Sequence, residues 1–354
     1  MFDKKVMVAM SGGVDSSVAA ALLLEKYNYV CGATLRLYEC DGKIGQEVER
    51  AKSVCDRLSI NHYVFDKRDL FEKEVISRFS EEYNIGLTPN PCIECNKYIK
   101  FGTLLDEALK MGMDYIATGH YSRIIKDNAT GKYAIIRPED RKKDQTYVLW
   151  KLNQHQLSHI LMPLGEYTKD SVREIAAEYG FESANAKESQ DICFVPDGDY
   201  AAFLENHCGI CIKEGDYVDI NGNYLGKHLG HQHYTVGQRK GLGIALGKPQ
   251  FVISKDSGLN QVVLSDEEYL FKNRVYISDV NFCSINEPVG AINCTAKLRY
   301  SAKDTACRIE MLSEDRAVIE FDAPQRAPSP GQSAVFYDGN MLLGGGIITK
   351  EQNL

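Results

Sequence analysis

The chain opens on two short apolar runs, residues 6–10 and 18–24, separated by Ser11-Gly12-Gly13-Val14-Asp15-Ser16-Ser17. An apolar run ending at paired glycines reads as a buried strand, and the apolar stretch after the hydroxyls reads as a helix. The alternation then continues. Residues 29–38 are rich in β-formers and predict a second strand, and 62–65 a third. Between them, residues 46–58 place Val48, Ala51, Val54, Cys55 and Leu58 at helical spacing. Residues 70–83 repeat that spacing with Leu70, Val75, Ile76 and Phe79, and 115–118 form a fourth strand. Strands alternating with helices predict an α/β fold, a doubly wound parallel sheet covered on both faces. In such sheets ligands sit beyond the carboxyl ends of the strands, where Ser11, Leu35 and Gly119 fall. Residues 133–137 are expected to form a hairpin with 121–125. Residues 144–152 and 168–179 read as helices, the second capped by Thr168.

From Gly209 onward the texture changes to short strands punctuated by turn pairs such as Asn221-Gly222. Residues 217–220 read as one such strand, and the glycine-rich, partly basic stretch 226–247 follows. After residue 274 the pattern is all strand: 275–277, 294–300, 306–311, 316–321, 333–337 and 342–348. Six short strands in so little chain predict a β-barrel. The expected domains are therefore 1–203 (catalytic α/β), 204–270 (small, mostly β, middle) and 271–354 (C-terminal β-barrel).

Composition narrows the class. The chain has 354 residues, 44% hydrophobic and 25% charged, enough for two or three cores. Mean hydropathy is −0.30, and no apolar run approaches the ~18–20 residues of a membrane span. The first strand begins so early that a leader peptide has no room, so a cytoplasmic protein without a membrane partner is expected. The net charge of −8 gives no general attraction for nucleic acid, which would have to be met by local basic patches. Eleven cysteines in such a chain do not suggest a disulfide framework. Cys31, Cys55, Cys283, Cys294 and Cys307 lie in apolar or strand-like surroundings and read as small core hydrophobes.

The opening turn carries chemistry. Two glycines before a helix let the backbone close around an anion at the positive helix end. It is not the common P-loop, because no lysine follows the glycines at the required place. Ser-Gly-Gly-x-Asp-Ser instead resembles the pyrophosphate loop of ATP pyrophosphatases, which split ATP between its α and β phosphates and activate a substrate oxygen as an adenylate.

Three other stretches carry sulfur. In Asn90-Pro91-Cys92-Ile93-Glu94-Cys95, Asn90 reads as a helix cap and Pro91 as the first helical residue. Cys92 and Cys95 then share a face near the positive end, with Lys97 and Lys100 close in sequence, and lowered thiol pKa values are expected. Cys193, between Ile192 and Phe194, reads by itself as a buried residue. Cys208 and Cys211 form a further Cys-x-x-Cys at a domain edge and read as incidental thiols.

Taken in order, these stretches are more specific than any one of them. Residues 11–16, Asn90-Pro91 with Cys95-Asn96-Lys97 and Ile99-Lys100-Phe101, and Ala117-Thr118-Gly119-His120-Tyr121 follow one another. Lys143-Asp144-Gln145, Ser189-Gln190-Asp191-Ile192-Cys193-Phe194, residues 230–239, Leu298-Arg299-Tyr300 and Pro330-Gly331-Gln332 complete the series. The ordered set resembles the bacterial tRNA-specific 2-thiouridylase family over essentially its whole length. The resemblance implies ATP-dependent 2-thiolation of the wobble uridine, position 34, of tRNAs for Lys, Glu and Gln. ATP with Mg2+ would adenylate the uracil C2 oxygen, and sulfur would then displace AMP. It implies ATP binding by Ala9, Met10, Ser11, Gly12, Gly13, Val14, Asp15, Ser16, Leu35 and Gly119. It implies that Cys193 receives sulfur as a persulfide from a sulfur-relay protein or cysteine desulfurase, and that Cys95 is the catalytic nucleophile, the two able to end as a disulfide. Asn90, Pro91, Cys92, His120, Lys143, Asp144, Gln145, Arg299, Tyr300 and Gln332 match its tRNA contacts.

One position departs from the family. Much of it carries an acidic residue where this chain has Cys92, so a carboxylate base there is in doubt. Cys92, Cys95 and Cys193 also make a set of three, which in related thiolation enzymes holds a [4Fe–4S] cluster, and this gives the alternative of sulfide carried on a cluster. A more distant alternative is an ATP pyrophosphatase amidating a small molecule, although no glutaminase half is recognisable. A non-catalytic redox or metal-binding module would leave the nucleotide loop without a purpose.

Overall fold

The structure, a computed structural model, describes residues 1–38, 43–181, 192–195 and 197–350, with the side chains of 43 and 44 left aside. In chain order its first strands are β1 (Phe2–Ala9), β2 (Tyr27–Arg36), β3 (His62–Asp66) and β4 (Tyr115–Ala117). A hairpin of β5 (Arg123–Lys126) and β6 (Tyr133–Ile136) precedes β7 (Ile160–Leu161). Five of these form an all-parallel sheet in the order β3-β2-β1-β4-β7. Val6, Met7 and Val8 of central β1 are fully buried because both faces are covered. Met7 packs with Leu104, Leu105 and Trp150 on one side, and Val6 and Val8 with Val18, Ala19 and Val172 on the other. Strand order reverses at β1, whose neighbours are β2 and β4. Diverging connections there open a crevice at the carboxyl ends, which is where the glycine loop leaves β1.

The predicted helices at 46–58, 70–83 and 168–179 are present as Lys43–Arg57, residues 68–84 and Lys169–Glu178, the last capped by Thr168 Oγ1 accepting from Ser171 N. The helix expected at 144–152 is absent. That segment makes only a single 3-10 turn, Thr146–Val148, preceded by another at Arg141–Lys143. Asp144 Oδ1 accepts from both the backbone N (2.9 Å) and the hydroxyl (2.6 Å) of Thr146, a local turn that competes with helix. Tyr147 and Trp150 are then drawn away: Tyr147 OH donates to Ser333 O and Trp150 Nε1 to Ser333 Oγ, both across to the C-terminal domain.

The middle domain is a four-stranded sheet of β8 (Gly215–Val218), β9 (Tyr224–His228), β10 (Phe251–Asp256) and β11 (Gln261–Ser265), ordered β10-β11-β8-β9. Its core is Tyr217, Val252, Val262 and Leu264. A helix unforeseen from the sequence, Tyr200–Asn206, leads into it. All six late strands predicted from the sequence are present: β12 (Phe271–Asn281), β13 (Ile292–Lys297), β14 (Thr305–Met311), β15 (Ala317–Arg326), β16 (Ser333–Asp338) and β17 (Met341–Ile348). They run β12-β15-β14-β13-β16-β17, and β12 pairs back to β17, closing a barrel with no free edge. The β5–β6 hairpin of the first domain adds to β17 through Met341 opposite Ile136 and Leu342 opposite Ile135. The barrel is thereby fixed to the α/β domain by main-chain pairing. Among the described residues, no helix is long and apolar enough to cross a membrane.

Candidate active site

The glycine loop is shaped by close approach on two sides. Gly12 has φ +71°, and a Cβ there would lie 2.8 Å from Arg50 Cβ and 3.0 Å from Glu47 O of the neighbouring helix. Gly13 then caps α1 (Val14–Leu24) without a side chain to bond its first amides. The Ser16 and Ser17 hydroxyls turn back to donate to Gly13 O, at 3.1 and 2.9 Å, and Ser16 Oγ accepts from Ser11 N at 3.2 Å. The N–H groups at the start of α1 are left for an outside acceptor, which suits an anion. Neither serine is an ordinary cap.

Asp15 is held from two distant parts of the chain. Lys169 Nζ reaches both carboxylate oxygens at 2.8 and 2.9 Å, and Tyr121 OH donates at 2.8 Å. Lys169 is 5% exposed and opens its helix, so a nearly buried ammonium stands directly behind the glycine loop. No local pattern announces it, because 154 residues separate the pair.

The crevice beside this loop has a volume of about 300 Å³ and is lined by Ser11, Ser16, Leu35, Gly119, Lys100 and Gln145, among others. Gly119 closes it from β4. A Cβ on Gly119 would stand 2.8 Å from the Asp15 carbonyl carbon and 2.9 Å from Ser16 N, so only glycine lets the strand end lie against the loop. His120, next in the chain, shares a hydrogen bond of 2.7 Å between Nδ1 and Thr118 Oγ1. Burial, aided by the Lys100 charge, holds its pKa well below the ordinary imidazole value, so the ring is neutral at pH 7.

The thiols stand on the adjoining wall. Asn90 caps the helix of residues 91–110, its Oδ1 accepting from Cys92 N at 3.1 Å, and Pro91 occupies the first turn as expected. From Cys95 to Thr103 the helix widens into π-type turns, which bring residues five apart, such as Cys95 and Lys100, onto one side. Cys95 is 7% exposed, while Cys92 and Cys193 are accessible from solvent although crowded by protein. The expectation of acidic thiols is overturned. Burial pushes Cys95 up to about 11 against the opposing pull of Lys100, and burial followed by the Cys95 and Cys92 charges pushes Cys193 up to about 12. Cys92 is raised for the same reason. Desolvation outweighs the helix end and the lysine. The three thiols nevertheless lie within reach of one another's charge, with Lys100 as their shared cation. Lys100 was noted in the sequence only as a neighbour of Cys92 and Cys95, not as a cation that also reaches Cys193.

Cys193 is held there by its neighbour. Phe194 is 2% exposed and packs against Phe71, Phe79 and Phe203, leaving the preceding thiol outward, contrary to the expectation that Cys193 is buried. Ser189, Gln190 and Asp191 of the same motif lie outside the described residues. Among the described residues, no group of three or more His, Cys, Asp or Glu side chains is arranged to hold a metal ion. The structure thus lends no support to a [4Fe–4S] cluster on Cys92, Cys95 and Cys193. Cys211 is exposed, and Cys208 packs partly buried against the Phe194 cluster.

The positions matched to tRNA contacts fall into two groups. Gln145 lines the crevice and accepts from Tyr121 N through Oε1 at 2.9 Å. Tyr300 is 45% exposed, meets the Tyr147 ring edge-on at 5.9 Å, and has its pKa raised by burial and then by Asp144 and Cys92. Asp144, Gln145, Tyr300 and Cys92 thus converge at one mouth, with Lys143 beside them in the chain. Arg299 and Gln332 are engaged inside the molecule. One Arg299 Nη donates to Val236 O, Ala327 O and Ser329 Oγ, tying middle domain to barrel, and Gln332 Nε2 donates to Thr88 O.

Comparison with known proteins covers nearly the whole chain. The family described as tRNA methyl transferase HUP domain matches residues 4–197. The tRNA methyl transferase PRC-barrel domain matches 201–266 and the aminomethyltransferase beta-barrel domain 272–348. The chain is 50% identical to a tRNA-specific 2-thiouridylase of Carboxydothermus hydrogenoformans, over 98% of each chain. It is 49% identical to that of Clostridioides difficile, over 98% of this chain and 99% of the relative. Among solved structures, a U34-tRNA thiolase from Methanococcus maripaludis with its [4Fe-4S] cluster is 18% identical. It covers 60% of this chain and 77% of its own at a TM-score of 0.37, too loose to bear on the site.

Proposed function

The chain belongs to the tRNA-specific 2-thiouridylase family, and we propose from that premise how its crevice divides the work of ATP-dependent 2-thiolation of a tRNA uridine. The observation that carries the reading is the juxtaposition of an uncapped α1 terminus, Gly119 and the Lys100–Cys95 wall around one volume of about 300 Å³. A nucleotide on the loop and a uracil entering from the thiol side would meet there.

The uracil C2 oxygen is a poor leaving group, so it first attacks the α phosphorus of ATP and pyrophosphate departs. The amides at the start of α1 hold the phosphates, and Lys169 behind Asp15 offsets their charge. Asp15 and Glu47, which line the crevice, are the carboxylates available to the Mg2+ that travels with ATP. Ala9, Met10 and Leu35 line the crevice on the side suited to the adenosine. Entry of the base requires it to leave its stack, and Tyr300 and Gln145 at the mouth are suited to hold a splayed base and its neighbour. The resemblance supports the wobble uridine, position 34, of tRNAs for Lys, Glu and Gln as the target.

Sulfur arrives on Cys193. Its exposure, against the burial of Cys95, suits loading by a protein donor such as a sulfur-relay protein or cysteine desulfurase. The terminal sulfur of the Cys193 persulfide attacks C2, the C–O bond breaks, and AMP leaves. Cys95 thiolate then attacks Cys193 Sγ, releasing the 2-thiouridine sulfur and closing a Cys95–Cys193 disulfide, which an external dithiol reduces. Lys100 stabilises the thiolates in turn. Neutral His120 can donate or accept a single proton at the mouth. We keep domain limits of 1–203, 204–270 and 271–354 as part of this reading; the change of architecture near residue 200 and the family matches to 4–197, 201–266 and 272–348 support divisions close to these. A cytoplasmic setting, which keeps thiols reduced, suits the chemistry.

The test is single turnover with Cys95→Ser and persulfide-loaded protein. Pyrophosphate release that depends on tRNA should persist while free 2-thiouridine does not form. Full thiolation by that variant would remove Cys95 from the mechanism.

A further inference from the structure

Away from the crevice, the three domains meet around a second pocket of about 380 Å³. The first domain contributes Gly86, just past the helix of residues 68–84, and the middle domain contributes Val236 and the β10 residues Ile253 to Lys255. The barrel contributes the start of β12, with Lys272 and Arg274, and the end of β17, with Thr349 and Lys350 beyond it. Among the described residues, its lining contains four cationic side chains and no Asp or Glu. In a chain of net charge −8 that concentration of one sign needs a reason.

Lys255 is the telling member. It is 6% exposed, on a strand whose other inward positions, Phe251 and Val252, are apolar. Its Nζ donates to Tyr234 O at 2.8 Å and stands 5.9 Å from the Tyr83 ring centroid. Among the described residues, no carboxylate pairs with it. An ammonium has three donors, so this carbonyl leaves others for a further acceptor. A buried cation without a counter-charge is costly, and here Lys350 adds repulsion: burial and Lys350 together lower Lys255 to about 8. Lys350 itself meets Ile85 O at 3.4 Å, at the negative end of a helix. That contact steadies it but does not neutralise it. Arg274 is paired with Glu320, so the charge that awaits a partner is chiefly that of Lys255 and Lys350.

We propose that this three-domain pocket is an anion site that takes a phosphoryl group, bound by Lys255 and Lys350 with the Ser254 and Thr349 hydroxyls beside them. A phosphoryl group could come from the tRNA backbone or from free phosphate or pyrophosphate released at the crevice. Either source would bridge all three domains and lock their relative positions while the base is held elsewhere. The proposal rests on the tRNA-thiolating reading for its supply of phosphates, not for the geometry of the pocket.

The experiment compares wild type with Lys255→Met and, because Lys350 is exposed and its change cannot unfold a core, Lys350→Gln. tRNA affinity is measured against salt concentration, and thermal unfolding is followed with and without inorganic phosphate and pyrophosphate. If the backbone is the source, each variant lowers the slope of log affinity against log salt by about 1. If free anion is the source, phosphate or pyrophosphate raises the wild-type unfolding temperature and does so less in both variants. Unchanged salt slopes together with unchanged anion stabilisation in both variants overturn the proposal and leave Lys255 a packing residue. Wild-type protein is assayed in parallel for tRNA-dependent AMP release. Loss of that activity would count against the thiolation reading, whereas its presence with a silent pocket counts against the anion site alone.

Discussion

Replacing Gly119 by alanine probes the contact between β4 and the glycine loop, and with it the proposed role of that loop in nucleotide binding. The added Cβ would lie 2.8 Å from the Asp15 carbonyl carbon, 2.9 Å from Asp15 Cβ and 2.9 Å from Ser16 N, all atoms of the loop or of its immediate continuation. Ordinary carbon contacts begin near 3.4 Å, so the loop must retreat by about 0.6 Å. None of these neighbours is the free end of a flexible side chain. Overpacking of this kind costs about 1–3 kcal/mol, and a displacement approaching 1 Å at a reacting group costs up to about 100-fold in rate. Gly119→Ala should therefore lower kcat/KM for ATP by about 10- to 100-fold in tRNA-dependent pyrophosphate release, with a modest drop in unfolding temperature. Gly45→Ala is the control. Nothing lies within 4 Å of a Cβ there, and in its helix alanine should be neutral or stabilising by about 0.5–1 kcal/mol. Unaltered ATP kinetics in Gly119→Ala would refute the packing of β4 against the phosphate loop.

Other consequences follow from charge and burial. Lys169→Met leaves the Asp15 carboxylate facing the phosphates without its cation, and should raise KM for ATP by about 10-fold or more while leaving tRNA affinity nearly unchanged. An equal loss for both ligands would point to misfolding instead. Because the Cys193 thiol is pushed up to about 12, its alkylation by iodoacetamide should rise about tenfold per pH unit from pH 7 to beyond pH 10, and Lys100→Met should slow it throughout. A plateau below pH 9 would contradict the desolvated wall. Glu82 is raised to about 7 by burial and then by the Glu94 charge, partly offset by Lys151 and Arg78. A carboxyl whose folded pKa exceeds its unfolded value stabilises the fold when protonated, and that stabilisation is lost as pH rises from about 4.5 through 7. Glu82→Gln should thus stabilise the protein by about 2 kcal/mol more at pH 8 than at pH 5, measured by denaturant unfolding. An equal effect at both values would show that Glu82 is ordinary.

The architecture was legible wherever a residue's environment is set by near neighbours in the chain. The buried β1 run, the Thr168 and Asn90 caps and all six barrel strands carry their own periodicity or capping chemistry. The glycine loop was legible for the same reason. What the sequence withheld depends on partners far away in the chain. Residues 144–152 have a helical look, yet Tyr147 and Trp150 are pulled onto Ser333 of the barrel, a contact no local pattern announces. The β5–β6 hairpin was foreseen, but not that it would extend the barrel at β17. Lys169 behind Asp15 is of the same kind. The thiols failed differently. Proximity to lysines and a helix end argued for acidity, but the burial that reverses it is a property of the packed wall.

The central claim is that the crevice activates a tRNA uridine with ATP so that a cysteine-borne sulfur can displace AMP. It is tested most directly by measuring products from purified protein, Mg-ATP, tRNA and a persulfide donor. The account predicts one AMP and one pyrophosphate for each 2-thiouridine formed, and no pyrophosphate release when tRNA is omitted. Pyrophosphate release sustained by ammonia and a small carboxylic acid or nucleotide, with tRNA inert, would contradict it.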